Sequence, residues 1–177
     1  MRNLAMEWID LERQCIKSVY YTDEKAQFGN YMEAYDVHHL LYGAILFELE
    51  SDLWVRIEND IERNGITAYR SDASFVQQFK KINLKTDKIW SRVSDKTLKS
   101  IKLYPGHYII GKPGGKTSRK DLKKEIISSI ELVFQHEVSV FISAAEFSTE
   151  NTIEPSLFDF MLYNKREIGI IHGLLPK

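Results

Sequence analysis

YMEAYDVHHLLYGAILFELESDLWVRIENDIERN, residues 31–64, is the longest apolar-patterned run in the chain, and its reading decides the fold. It holds no proline, and its only glycine is Gly43. Tyr42, Leu46, Leu49, Leu53, Ile57 and Ile61 recur at spacings of four or three, which keeps them on one face of an α-helix. Leu40, Leu41, Ala44, Ile45 and Phe47 make the first half apolar nearly all round, as in a central core helix. Asp52, Arg56, Glu58 and Glu62 give the second half a wet side, and Gly65 stands where a C-terminal cap is expected. The expectation is a mainly α chain: a single-domain helical bundle over residues 1–177, assembled around one long central helix at about 31–64.

The flanking segments extend that expectation. Leu4, Trp8, Leu11, Cys15 and Val19 describe a first amphipathic helix. Ser71-Asp72 can cap a short helix carrying Phe75, Phe79 and Ile82. Thr86 or Asp87 opens another, with Trp90, Val93, Leu98 and Ile101 on its buried side and Pro105-Gly106 as its stop. Ser118 with Asp121 resembles a capping box ahead of Leu122, Ile126, Ile130 and Val133. Pro155-Ser156 opens a last short helix through Phe158 and Leu162. Short strand segments are the alternative reading near 108–110 and 138–142.

Composition narrows the class. The chain has 177 residues, 44% of them hydrophobic and 12% aromatic, which suits a packed globule. Lys plus Arg is 24 against 25 Asp plus Glu, so no global basic field advertises nucleic-acid binding. Basic residues nevertheless crowd the middle third: Lys80, Lys81, Lys85, Lys88, Arg92, Lys96, Lys99 and Lys102, then Lys112, Lys116, Arg119, Lys120, Lys123 and Lys124. Cys15 is the single cysteine, so no disulfide forms within a monomer and a reducing, cytoplasmic setting is expected. Glu7, Asp10, Glu12 and Arg13 interrupt any signal-peptide core, and the run 40–47 is too short to span a bilayer.

Three constellations carry chemistry. Gly111-Lys112-Pro113-Gly114-Gly115-Lys116-Thr117 looks like a phosphate-binding loop but is one residue short between its first glycine and Gly115. Its weaker form is an anion or nucleic-acid site made by Lys112, Lys116, Arg119 and Lys120 at the start of the Ser118 helix. Arg166 and His172 lie six residues apart, and a guanidinium with an imidazole is the pair a ribonuclease uses to grip a phosphate and move a proton. His38-His39 with Asp36 is a packing or hydrogen-bonding group at a helix start rather than a metal site. No cofactor and no metal are expected.

Taken in order, the stretch Leu40 to Asn64, the segment Trp90 to Ile110 and the helix from Ser118 resemble the HEPN-like all-α superfamily, especially its AbiU-like abortive-infection branch. The resemblance implies a long central helix and an arginine–histidine motif in a late helix. The phrase Pro105-Gly106-His107-Tyr108-Ile109-Ile110-Gly111 corresponds to that motif, with Pro105 and Gly111 in the arginine and histidine places. The resemblance then implies a scaffold without catalysis: a non-catalytic, intracellular protein-binding module of a bacterial or phage conflict system. Its partner would be another protein first, RNA second, with a homodimer compatible and no membrane. The alternative it implies is a metal-independent ribonuclease toxin, with Arg166 holding the phosphate and His172 acting as acid or base.

Overall fold

The computed structural model describes residues 8–24, 39–60, 65–110, 122–147 and 153–177. Its strands are β1 (Ile16–Glu24), β2 (His39–Leu49), β3 (Trp54–Asp60), β4 (Gly65–Ser71), β5 (Lys80–Lys81), β6 (Leu98–Ile110), β7 (Leu122–Phe134), β8 (Val138–Phe147) and β9 (Ile153–Tyr163), followed by a short helix α1 (Arg166–Ile171). The fold is mostly β, so the expected all-α bundle is overturned. The central helix is replaced by β2 and β3, which pair antiparallel as a hairpin from Ile45↔Ile57 to Glu48↔Trp54. The backbone reverses between them at Asp52, at φ 59, with Leu49 N–H donating to Leu53 O over 2.9 Å. Residues 31–38 and 61–64 lie outside the described residues.

The helical spacing misled because β2 is buried on both faces. Leu41, Ile45, Phe47 and Leu49 enter the inner core, Leu40 enters an outer cluster, and Leu46 is also fully buried. A strand covered on both sides is apolar throughout and loses the period of two that would betray it. The other expected helices go the same way. Residues from the first form a 3₁₀ turn, Trp8–Leu11, and then β1. The Thr86–Asp87 helix shrinks to a 3₁₀ turn at Trp90–Arg92, the apolar stripe after Ser118 is β7, and Pro155 lies inside β9. The segments 108–110 and 138–142 belong to β6 and β8. Among the described residues the helical order that carries the HEPN-like resemblance is not present.

Six strands close into a barrel, in the order β2-β3-β4-β7-β8-β9 and back to β2. Two strands make closure work by sharing one edge between successive neighbours. One edge of β2 pairs β9 through residues 39–42 and then β3 through 45–48, while its other edge pairs β1. On β7, Ile127 meets Gly65 of β4 in parallel, residues 129–134 pair β8, and β6 pairs along the length. At that parallel meeting Gly65 takes φ +85, and a Cβ there would strike the Ile127 carbonyl oxygen.

Side chains fill the barrel. Ile45, Val55, Ile66, Ile130, Val140, Ile142, Phe160 and Leu162 form its core, which is continuous with Val19 and Tyr21 of β1 and with Ile82, Ile89, Trp90 and Val93 from the segment after β5. Each such fully buried large side chain stabilises the fold by roughly 1.5–3 kcal/mol. A second cluster lies on the outer wall, where Leu40, Phe141, Met161 and Tyr163 are covered by Ile168 and Leu175 of the C-terminal segment. Among the described residues no helix is long and apolar enough to cross a membrane.

Candidate functional site

The groove beside β1 follows from how the chain leaves that strand and rejoins it. β5 pairs β1 only at Tyr20↔Lys81 and Tyr21↔Lys80, after which Ile82 N–H donates to Val19 O over 2.9 Å. The chain then turns at Asn83, whose side-chain oxygen accepts from Lys85 N–H at 3.1 Å and whose carbonyl accepts from Asp87 N–H at 3.0 Å. It returns at Thr97, which bridges Cys15, while Leu98 N–H donates to Gln14 O over 2.8 Å. Between these anchor points the segment and Ile16–Ser18 border an open groove of about 590 Å³.

Its floor is apolar, from Ile16, Ile82 and Leu84, and its rim carries Lys17, Lys81 and Lys85 with Glu50 and Asp95. Lys17 holds Glu48 at 2.7 Å and Asp52 at 3.5 Å, and its hydrogen bond and attraction to Glu48 raise its pKa. Burial pushes the Glu48 carboxyl up, but hydrogen bonds from Lys17 and Ser18 and the charge of Lys81 outweigh it and hold the pKa below its usual range. Lys81 also sits over the Tyr20 ring at 5.6 Å. Between residues 80 and 102, Lys80, Lys81, Lys85, Lys88, Arg92, Lys99 and Lys102 are exposed, whereas Asp95 is the exposed acid and Asp87 is turned inward. The groove's own lining sets Lys17, Lys81 and Lys85 against Glu50 and Asp95, while on β6 Lys99 and Lys102 are paired to Glu137 and Glu131.

The outer wall of the groove is pinned to the barrel. His39 Nε2 lies 2.9 Å from Asp87 Oδ2, with both side chains at or below 10% exposure. The other Asp87 oxygen accepts from the N–H groups of Ile89 and Trp90, each at 2.9 Å. Burial raises the Asp87 pKa, and the His39 bond and charge with the two backbone donors bring it below the ordinary value. Trp90 Nε1 donates to Tyr21 Oη, and the Trp90 ring meets Phe47 edge-on at 5.4 Å.

The sequence singled out Lys81 and Lys85 within a basic segment but not Ile16, Lys17 and Ser18, which a helical reading of residues 4–19 turns away from any groove. Lys112, Lys116, Arg119 and Lys120 lie outside the described residues, as do His38 and Asp36. His39 is in β2 and serves the wall, so the helical spacing that joined it to Asp36 does not apply.

Arg166 and His172 sit at opposite ends of α1. The Arg166 guanidinium stacks over the Tyr104 ring at 5.3 Å, donates to Tyr104 Oη at 2.8 Å and donates to Pro176 O at 3.1 Å. Tyr104 Oη in turn donates to Glu131 Oε2 at 2.6 Å, and Ser139 donates to Glu131 Oε1 at 2.8 Å. Arg166 thus clasps the C-terminal segment to the outer wall. Burial pushes the His172 imidazole below its usual pKa. No family model, no curated protein and no solved structure matches the chain.

Proposed function

We propose that the chain is a non-catalytic binding domain that takes an acidic, extended segment of another protein into the groove beside β1. The observation that carries this reading is the placing of two exposed lysines, Lys81 and Lys85, on the rim of an apolar-floored groove next to a strand. An acidic segment with alternating apolar residues would place its carboxylates on Lys81 and Lys85 and its apolar side chains on Ile16, Ile82 and Leu84. The lone Cys15 supports a cytoplasmic setting for that encounter.

The test is fluorescence anisotropy with a labelled peptide of alternating Glu and Leu, beside a labelled single-stranded RNA of similar length. Peptide binding is expected at low salt, weakening as salt rises, and falling at least about tenfold in a Lys81→Glu/Lys85→Glu variant. Both lysines are exposed, so the variant is expected to fold. Peptide affinity unchanged by the double reversal, or binding of the RNA alone, would overturn the reading.

A further inference from the structure

A second cavity, of about 310 Å³, opens on the outer wall of the barrel where β2 changes partners. The last pair to β9 is Tyr42↔Asp159 and the nearest pair to β3 is Ile45↔Ile57, so Gly43 and Ala44 form the handover. The Thr22 hydroxyl holds this point: it lies 2.6 Å from Tyr42 O and 3.1 Å from Ala44 O, and accepts from Ala44 N–H at 2.8 Å. Gly43 takes φ +98 there, and Tyr42, preceded by the fully buried Leu41, stands 51% exposed at the cavity's edge. Irregularities that re-aim a side chain are common where strands serve a ligand.

We propose that this cavity binds a neutral sugar ring. Its lining combines planar polar groups with aromatic faces: Arg56, Glu58, Asn59 and Gln78 beside Tyr42 and Phe79. Arg56 and Glu58 neutralise each other at 3.1 Å, so the cavity, unlike the basic groove, offers no net charge to an anion. A sugar hydroxyl both donates and accepts; a guanidinium, a carboxylate and the exposed Gln78 amide supply the complementary acceptors and donors. The rings supply flat apolar surface for the C–H face of a pyranose. The polar groups are also held in place. Arg56 lies under the Phe75 ring at 5.7 Å, and Asn59 Nδ2 donates to Ser156 O at 3.1 Å across the gap between β3 and β9. The cavity is at the small end of the range for ligand pockets, which limits the occupant to one or two rings.

The experiment is saturation-transfer NMR with maltose and N,N′-diacetylchitobiose as neutral probes and glucose 6-phosphate as the charged one. A neutral disaccharide is expected to bind saturably in the millimolar range and more tightly than glucose 6-phosphate. Tyr42→Ala is expected to weaken it about tenfold, and Gln78→Ala to weaken it by less. Both positions are exposed, and matching far-UV spectra and melting curves will show that the variants fold. No neutral sugar bound at about 50 mM, tighter binding of the phosphate, or undiminished binding by Tyr42→Ala would overturn the proposal.

Discussion

Gly43 is where backbone conformation and side-chain space meet most tightly. Its φ of +98 is a region L side chains rarely adopt, and a Cβ there would stand 2.5 Å from Thr22 Oγ1. Two separable costs follow for Gly43→Ala. The backbone contributes about 1 kcal/mol, and displacing Thr22 from its bonds to residues 42 and 44 adds about 1–2 kcal/mol. Thr22→Ala alone loses the same bonds, so the two substitutions share that second cost. Urea unfolding of a double-mutant cycle is expected to show the pair less destabilised than the sum of the singles, by about 1 kcal/mol. Strict additivity would mean that Thr22 does not hold the strand handover.

Among the elements, α1 and the residues after it depend on a few polar clasps over a small apolar patch. Arg166 bonds Tyr104 and Pro176 O, Ser129 Oγ donates to Leu174 O at 2.9 Å, and Leu174 and Leu175 N–H groups both return to Gly169 O. Arg166→Ala is expected to speed hydrogen exchange at Leu174 and Leu175 while inner-barrel amides such as Ile142 keep their protection. The free energy of opening this segment from the barrel should drop by about 1–3 kcal/mol. Equal acceleration at Ile142 would mean that the segment and the barrel open together. Arg166 and His172 were legible as a spaced pair, and the structure adds that Arg166 clasps the C-terminal segment through Tyr104 and Pro176 O. Asp72 was legible as a cap, its Oδ1 accepting from Ser74 N–H at 2.8 Å, whereas the apolar positions of β7 read as a helical stripe. What the sequence hid was the period. On β2 both faces are covered except at Tyr42, Gly43 and Glu48, so spacings of three and four could be picked from a run that is apolar over most of its length. The polar run Glu50-Ser51-Asp52 between Leu49 and Leu53 was the local sign of the turn, and Gly65 marked a strand start with positive φ rather than a helix end. The basic rim was readable from composition, but its apolar floor needs β1 beside residues 82–84, and no local pattern carries that pairing.

Across the whole molecule, three separated carboxylates make acid the natural probe of the fold. Asp87 pins the groove wall, Glu48 lies beside the β1 edge, and Glu131 anchors the network beneath the C-terminal segment. Burial raises each pKa, and hydrogen bonds with neighbouring charge more than compensate, leaving all three below their ordinary values. The sign follows. On acidification the unfolded chain takes up these protons first, so their stabilisation is complete above the ordinary carboxylate range and is lost as pH falls through the lowered native values. Urea midpoints measured from about pH 7 to pH 2 are expected to decline slightly through the histidine range, where His172 resists protonation, and to fall steeply below about pH 4. Asp87→Asn separates one contribution from the rest, because it keeps the shape but removes the charge facing His39. It is expected to lower the neutral plateau by about 1–3 kcal/mol and to make the acid slope shallower by up to about 1.4 kcal/mol per pH unit. An acid slope unchanged in Asp87→Asn would show that the wall of the groove is held by Ile89, Trp90 and Val93 packing into the barrel, with the ion pair adding nothing to it.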